Sequence, residues 1–345
     1  MQNETQKIVI VSEGETAELA NEYFPDDSLH EDLARKKAEV VARYGDWTAH
    51  NIHLGGGVYT ISENVRGDEL LAHRVLQIAA DVVGRNLESV RVLDLACLEG
   101  LYAVEFALHG AQTLGIEVRE TNIEKARLAK DTLELPNLEF SHDDVRNLSA
   151  EKYGTFDVVL CLGILYHLDA PDLFEFVGRM AEVCRQCLII DTHVSLTNEE
   201  QFFYGGKEYW GRFFTEHAET ATTDEKEQSL WASIDNRRSV WLTRPSLFNL
   251  LAHAGFTSVY ECYNPPYQSG LPDRFTFLAI KGEAQSVISS PLVAASPVAE
   301  WPPREPKPAT PSGFRLGRGA NISRLRRVGS KLPAPVKSVI KRFIS

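Results

Sequence analysis

No apolar run in this 345-residue chain reaches the ~18 to 20 residues needed to cross a bilayer. The start, Met1-Gln-Asn-Glu-Thr-Gln-Lys, has no apolar core of signal-peptide type, so a cytoplasmic protein is expected. Cysteine is scarce: five residues, an odd number, make no disulfide framework. Cys184 and Cys187 form a lone CxxC ahead of the apolar run Leu188–Ile190. Without a second pair they read as packing rather than as metal or redox chemistry. Positive charge is missing from most of the chain. Eleven of the 36 Lys and Arg lie from residue 301 onward, where Glu305 is the single acid, so the tail carries +10 and residues 1–300 carry −22. An acidic body gives nucleic acid little to hold over most of the surface, and any anionic partner is expected at the tail.

What is present is a change of rhythm along the chain. Ser28 and Glu31 fit a capping box for a helix running towards Tyr44, and the aromatic, Gly-rich segment Trp47–Thr60 reads as loop or hairpin. Leu70, Leu71, Val75, Ile78, Ala79 and Val82 share one face of a second helix over Asp68–Val83. From Val90 short apolar runs appear: strands Val90–Leu95, Thr113–Glu117, Leu138–Ser141, Phe156–Leu162 and Leu188–Asp191. Helices Tyr102–His109, Asn122–Thr132 and Asp172–Cys184 are interleaved with them. That spacing gives βαβ units and a parallel sheet buried on both faces. A helix Pro245–Ala254, stopped by Gly255, precedes two late strands, Ser258–Cys262 and Phe275–Ile280, which suit an antiparallel edge pair. The expected organisation is an N-terminal helical and loop extension over 1–85 and an α/β domain over 86–282 with an insertion or lid at 196–245. A linker with seven prolines over 283–312 and a basic tail over 313–345 complete it.

In open α/β sheets ligands bind beyond the carboxyl ends of the strands. The first such turn runs from Asp94 through Ala96 and Cys97 to Gly100. It lacks the Gly-Lys-Ser/Thr of a phosphate loop and the three glycines of a dinucleotide fingerprint, and Asp94 and Glu99 would repel a pyrophosphate. An acidic rim suits a cationic or hydroxyl-rich ligand. Glu117 ends the second strand, where a carboxylate accepts both hydroxyls of a ribose. Asp143-Asp144-Val145 follows the third strand, where an acid can accept from an adenine amino group.

These residues carry a resemblance. Residues 90–195 look like a class I S-adenosylmethionine-dependent methyltransferase domain. Asp94-Leu-Ala-Cys-Leu-Glu-Gly100 resembles the family's Asp-x-Gly-x-Gly-x-Gly loop, with Ala96 and Cys97 read as replacing glycines. Glu117 matches its ribose acid, Asp144 its adenine motif, and Phe156–Gly163, ending in Leu162-Gly163, its fourth strand. The resemblance implies a Rossmann-like α/β fold, a seven-stranded mostly parallel sheet with a reversed last strand, and S-adenosyl-L-methionine as cofactor. A finer resemblance lies in Leu162–Pro171. It is similar to a Gly-Val-Leu-Tyr-His-Arg segment of transferases that carboxymethylate the wobble uridine of tRNA, with Leu168 in place of the arginine and no Lys or Arg in Trp47–Thr60.

Methyl transfer needs positioning, and a base only where the nucleophile must lose a proton. Tyr166 and His167 follow the fourth strand; His167 can act as base or fix its loop, and Tyr166 is expected to shape the methionine pocket. His193, at the end of the fifth strand, is a second base candidate. Trp210 and Trp241, with Arg237 and Arg238, are expected to face substrate from the aromatic insertion. In the tail, Val336, Val339, Ile340, Phe343 and Ile344 make an apolar helical stripe beside Lys337, Lys341 and Arg342, suited to weak attachment at an anionic membrane surface or to a protein contact. No His/acid cluster has metal-ligand spacing. The expected activity is methyl transfer to a small-molecule or glycan-like polar acceptor, at oxygen. The alternatives are a tRNA wobble-base transferase and a cofactor-binding adaptor recruited by its tail.

Overall fold

The computed structural model describes residues 27–62, 69–263 and 271–284. The expected linker and basic tail lie outside the described residues.

The elements follow the apolar periodicity closely. Helix α1 (Asp27–Tyr44) leads into a hairpin, β1 (His53–Gly55) and β2 (Val58–Tyr59), where the Gly-rich segment turns. Helix α2 (Glu69–Val83) buries Leu71, Val75, Ile78 and Ala79 of the stripe read from sequence, while Val82 is half-buried and Leu70 is exposed. Then come β3 (Arg91–Leu95), α3 (Leu101–Leu108), β4 (Gln112–Glu117), α4 (Glu120–Thr132), β5 (Leu138–His142), the short α5 (Ala150–Tyr153), β6 (Phe156–Leu162), α6 (Asp172–Val183) and β7 (Cys184–His193). The chain continues through β8 (Glu200–Tyr204), β9 (Lys207–Thr215), α7 (Thr223–Gln228), β10 (Arg238–Leu242), α8 (Arg244–His253), β11 (Ser258–Cys262) and β12 (Arg274–Ile280).

Seven strands form the main sheet in the order β11-β12-β7-β6-β3-β4-β5. The pairs from β7 through to β5 are parallel, and β12 runs antiparallel to both β7 and β11. That is the reversed strand the resemblance implies. Alternation puts Leu93, Leu95, Val159 and Ile190 into one core and Val92, Val158, Leu160 and Ile189 into the other, on opposite faces of the sheet. Burial on both faces is why these strands read as continuous apolar runs.

Two expectations need correction. Strand β7 is longer than its apolar centre and begins at Cys184, so Cys184 and Cys187 lie within the strand. Burial pushes the Cys184 thiol up to about 12, and the Cys187 thiol is raised as well. Residues 196–245 build more than a loop. They form a separate antiparallel sheet, β10-β9-β8, whose β10 returns to the loop after β6 through Val240 N–H and Leu168 O at 2.9 Å.

Candidate active site

The carboxyl ends of β3, β4, β6 and β7, with the amino end of β12, open into one cavity of about 1060 Å³. A single drug-sized ligand fills ~300–1,000 Å³, so this space is large enough for two reactants side by side.

One half is acidic. Asp94 is buried at the end of β3 and accepts the Ala103 N–H at 3.1 Å. Burial, opposed by that bond and reinforced by the charge of Glu117, pushes its carboxyl up to about 8. Glu117, ending β4, accepts the N–H of Leu98 at 3.0 Å and of Arg119 at 2.8 Å, one on each oxygen. Each oxygen retains a lone pair for a hydroxyl. Burial raises this carboxyl too, against those bonds.

The turn between β3 and α3 is tightly constrained. Gly100 caps α3 at φ 87°, and a Cβ there would meet Ala126 Cβ and the Phe140 ring at 2.9 Å. Ala96 and Leu98 hold φ of 53° and 50°, a left-handed region that glycine enters freely and other residues enter at a cost. Cys97 does not. The glycine-like positions are therefore 96 and 98, and the reading of Cys97 as one of them is corrected. Cys97 sits buried against Gly115, where any Cβ would meet its sulfur at 2.9 Å. Glu99 also departs from expectation. It turns away from the cavity and accepts the N–H groups of Thr48, Ala49 and His50 at 2.7, 3.1 and 2.9 Å, clamping Ala49 and His50 onto the cavity wall.

Asp144 and Val145 line the same half, but both oxygens of Asp144 are already held by the Arg146 guanidinium, at 2.6 to 3.1 Å. Asp143 is brought elsewhere. It bonds Lys152 Nζ at 2.6 Å, Asn147 Nδ2 at 2.9 Å and the Tyr153 hydroxyl; these outweigh its burial and hold the carboxyl down at about 2.

The other half is built on β6, β7 and β12. Leu162, Gly163, Tyr166 and His167 all line it. His167 Nδ1 lies 3.1 and 3.0 Å from the two oxygens of Glu216, a residue the sequence reading missed. Glu216 has a 1% exposed side chain and also accepts the Ser233 N–H at 2.9 Å and the Ser239 hydroxyl at 2.7 Å. Burial pushes this carboxyl up, but His167, Ser239 and Ser233 outweigh it and leave its pKa below the ordinary value. An ionised carboxylate only accepts, so Nδ1 carries the hydrogen, and in the neutral ring the lone pair is then on Nε2.

Besides Gly100 and Asp143, five expected residues lie off the cavity. His193 bonds Asp273 at 3.0 Å and stacks on Trp241 with ring centroids 4.6 Å apart, and burial lowers its pKa. Trp241 is buried between His193 and Phe214 and donates Nε1–H to Tyr166 O at 3.1 Å. Trp210, on β9, donates to Glu208, Arg237 pairs with Glu219 and Arg238 pairs with Asp169. These side chains build the insertion sheet and its junction. What the insertion lends the cavity is Leu230–Asp235, with Trp231 at 68% exposure. Arg119 pins that segment by donating to the carbonyls of Glu227, Ser229 and Ala232 at 3.3, 3.0 and 3.0 Å, and Arg146 bonds Asp235 at 2.7 Å. Among the described residues no three His, Cys, Asp or Glu side chains gather as a metal site.

Residues 92–187 match the family model described as a methyltransferase domain. Over that span the chain resembles a methyltransferase domain. Among curated relatives, the ubiquinone biosynthesis O-methyltransferase of Acinetobacter baylyi is 33% identical over 86 residues, 25% of this chain and 36% of that protein. That of Chromobacterium violaceum is 30% identical over 102 residues, 29% of this chain and 44% of that protein. The chain thus spans less than half the length of these relatives. Among solved structures the methyltransferase domain resembles the N-terminal domain of EvdMO1 with SAH bound, at a TM-score of 0.55 and 22% identity, over 74% of this chain and 97% of that one.

Proposed function

We propose that this domain moves a methyl group from S-adenosylmethionine to an oxygen of a small, hydroxyl-bearing acceptor. The observation that carries the reading is His167, backed by the buried Glu216, on a cavity whose opposite half is acidic. Bound in that acidic half, S-adenosylmethionine supplies a methyl already activated on a sulfonium. Asp94 would hold the positive end, Glu117 would accept the ribose hydroxyls, and Val145 would lie against the adenine. The backbone at Ala96, Cys97, Leu162 and Gly163 would line the region between the two halves, and Gly100 would act from behind by allowing the turn to close against Ala126 and Phe140. Asp144 would share its carboxylate between the adenine amino group and Arg146, and Asp143 would take no part.

What remains for the protein is to align the acceptor and take up its proton. His167 Nε2 receives the hydroxyl proton as the oxygen attacks, while Nδ1–H donates to Glu216. The buried carboxylate fixes the tautomer and stabilises the imidazolium. Tyr166, its ring centroid 4.3 Å from that of His167, walls the transfer region. The small-molecule names of the curated relatives support such an acceptor. So does the crystallisation of the EvdMO1 domain in the presence of SAH and D-fucose. The tRNA reading is weaker, because the charge of −22 over residues 1–300 gives a polyanion little to hold.

Labelled S-adenosylmethionine incubated with hydroxylated small-molecule fractions and with RNA tests this. Label is expected in the small-molecule fraction, in a bond of methyl-ether stability, and lost with His167→Ala. Label in RNA alone overturns the acceptor. SAH binding with no transfer to any fraction favours the adaptor.

A further inference from the structure

Three arginines line the cavity, and they are used differently. Arg119 donates to the carbonyls of residues 227, 229 and 232, and Arg146 to Asp144, Asp172 and Asp235, so both are committed to holding the protein's own segments. Arg274, the first residue of β12, is held from behind. Its Nε donates to Asp191 Oδ1 at 2.6 Å, and the other Asp191 oxygen accepts the Thr276 hydroxyl at 2.7 Å. No hydrogen bond is made by either terminal nitrogen, Nη1 or Nη2, among the described residues. The side chain is 32% exposed, and Arg274 lines the cavity. A guanidinium fixed at Nε presents its end-on fork, the face that grips a carboxylate or phosphoryl group with two parallel bonds.

Strand order sets the backbone of Arg274 apart from the acidic half. Asp94 and Glu117 sit on β3 and β4, whereas β12 lies three strand spacings from β3, about 14 Å at the usual separation of strands. The intervening strands are β6, which leads to Tyr166 and His167, and β7, which carries Asp191. The Arg274 guanidinium carbon stands 6.0 Å from the centre of the Tyr166 ring, and that ring is the one leaning on His167. Two carboxylates on this side are engaged: Glu261 with Arg244, and Asp273 with His193. A small molecule whose hydroxyl faces His167 therefore has its far end at Arg274.

We propose that Arg274 is an oxyanion anchor for the acceptor, and that the acceptor is a hydroxylated acid bearing a carboxylate or phosphoryl group across Tyr166 from its reacting hydroxyl. This deepens the proposed methyl transfer and rests on it. Asp191 and Thr276 act as positioning residues. They hold the guanidinium so that its fork faces the cavity, at the cost of one of its five N–H donors. The anchor selects among hydroxylated compounds: a neutral analogue leaves the fork without its partner.

The test uses the full chain saturated with SAH, titrated with 4-hydroxybenzoate, with its neutral amide and with inorganic phosphate. The wild-type complex is expected to bind 4-hydroxybenzoate about tenfold or more tightly than the amide, the advantage of a charged hydrogen-bonded pair. Arg274→Gln should erase that preference and Arg274→Lys, which keeps charge without the fork, should keep part of it. SAH affinity should be unchanged in both variants, which also reports that they fold. Phosphate displacing the benzoate confirms the anchor and assigns a phosphorylated acceptor. Equal binding of acid and amide by the wild type overturns the proposal, as does a preference that survives Arg274→Gln. A loss of SAH affinity in either variant assigns the fork to the cofactor's own carboxylate and overturns it too. If the wild type fails to bind SAH at all, the methyltransfer reading fails first.

Discussion

The two halves of the cavity are built on different principles. In the cofactor half each acid ends a strand or begins the following turn, and its partners are close in sequence or are backbone N–H groups: Asp94 with Ala103, Glu117 with Leu98 and Arg119, Asp144 with Arg146. In the acceptor half the pairs are distant, His167 with Glu216 and Asp191 with Arg274, separated by 49 and 83 positions. The acids of the first half are placed by the α/β sheet, and the insertion reaches that half only through the bonds of Arg119 and Arg146 to Glu227, Ser229, Ala232 and Asp235. The second exists only because an insertion sheet and a reversed strand are folded against it. Substitutions should therefore separate cofactor binding from turnover.

The sharpest break should come at His167. Its replacement by Ala removes the proton acceptor and should lower kcat by about 10² to 10⁴-fold, the range typical of a general base. SAH affinity measured by calorimetry should hardly change. If affinity falls as much as kcat, the imidazole belongs to the cofactor half and the division fails. Glu216→Gln should follow in the same direction by a smaller factor, because the ring keeps a hydrogen-bond partner while losing the charge that fixes its tautomer.

The mirror-image break is Glu117→Ala. Two charge-assisted hydrogen bonds to ribose hydroxyls, at ~1.5–3 kcal/mol each, correspond to a loss of about a hundredfold or more in SAH affinity. At saturating cofactor, turnover should recover most of its wild-type value. Turnover that stays depressed at saturation would show that the ribose acid also organises the acceptor half.

Asp94 ties the cofactor half to pH. Its carboxyl, pushed up to about 8 by burial, holds a proton in the fold that the unfolded chain releases near pH 4. The fold then binds more protons than the unfolded chain, so between about pH 4 and 8 this group lowers stability as pH rises, by at most ~1.4 kcal/mol per unit. A ligand ammonium beside the carboxylate favours the charged form. SAH binding should therefore release a proton, and affinity should rise with pH by up to about tenfold per unit until about pH 8 and then level off. Asp94→Asn should abolish the slope while raising thermal stability above pH 7. A slope that persists in the variant places the titrating group elsewhere.

How much of this was legible follows the same division. Each strand of the main sheet announces itself as a short apolar run, and an acid just past it lies at the sheet's carboxyl edge by construction. Asp94, Glu117 and Asp144 could thus be picked from local pattern. Asp143, one residue earlier, could not be told from Asp144, because its fate depends on Lys152 and Tyr153 folding back from α5. The insertion defeated reading by residue type. Trp210, Trp241, Arg237 and Arg238 look like substrate contacts, yet they are engaged within the insertion, as Trp210 and Arg237 are, or at its junction with the main sheet, as Trp241 and Arg238 are. Glu216 has no local signal beyond following β9, and Arg274 none beyond opening a late strand. Only the pairing of distant segments makes them partners of His167 and Asp191.

The smallest effect lies in the loop that departs from the glycine pattern. Ala96 holds φ 53°, where an L-residue with a Cβ costs roughly 1–2 kcal/mol. Replacing it by Gly removes that strain, but the unfolded chain gains conformational freedom worth ~0.4–1 kcal/mol. The two terms oppose, and the net is a gain of roughly 0 to 1.6 kcal/mol, each kcal/mol raising Tm by about 2–4 °C for a domain of this size. The Ala96 methyl lines the cavity, so its removal also opens the passage beside Asp94. SAH affinity should hold or improve slightly, and turnover should not move, because nothing on the acceptor side rests on that methyl. The converse substitution separates strain from packing. Ala96→Val, β-branched in the same left-handed backbone, should lower Tm and SAH affinity together while leaving the ratio of acceptor to amide binding untouched. If Ala96→Gly instead lowers Tm, the left-handed turn is held by the surrounding core at no cost to alanine, and the loop's departure from glycine is a matter of rigidity rather than of tolerated strain.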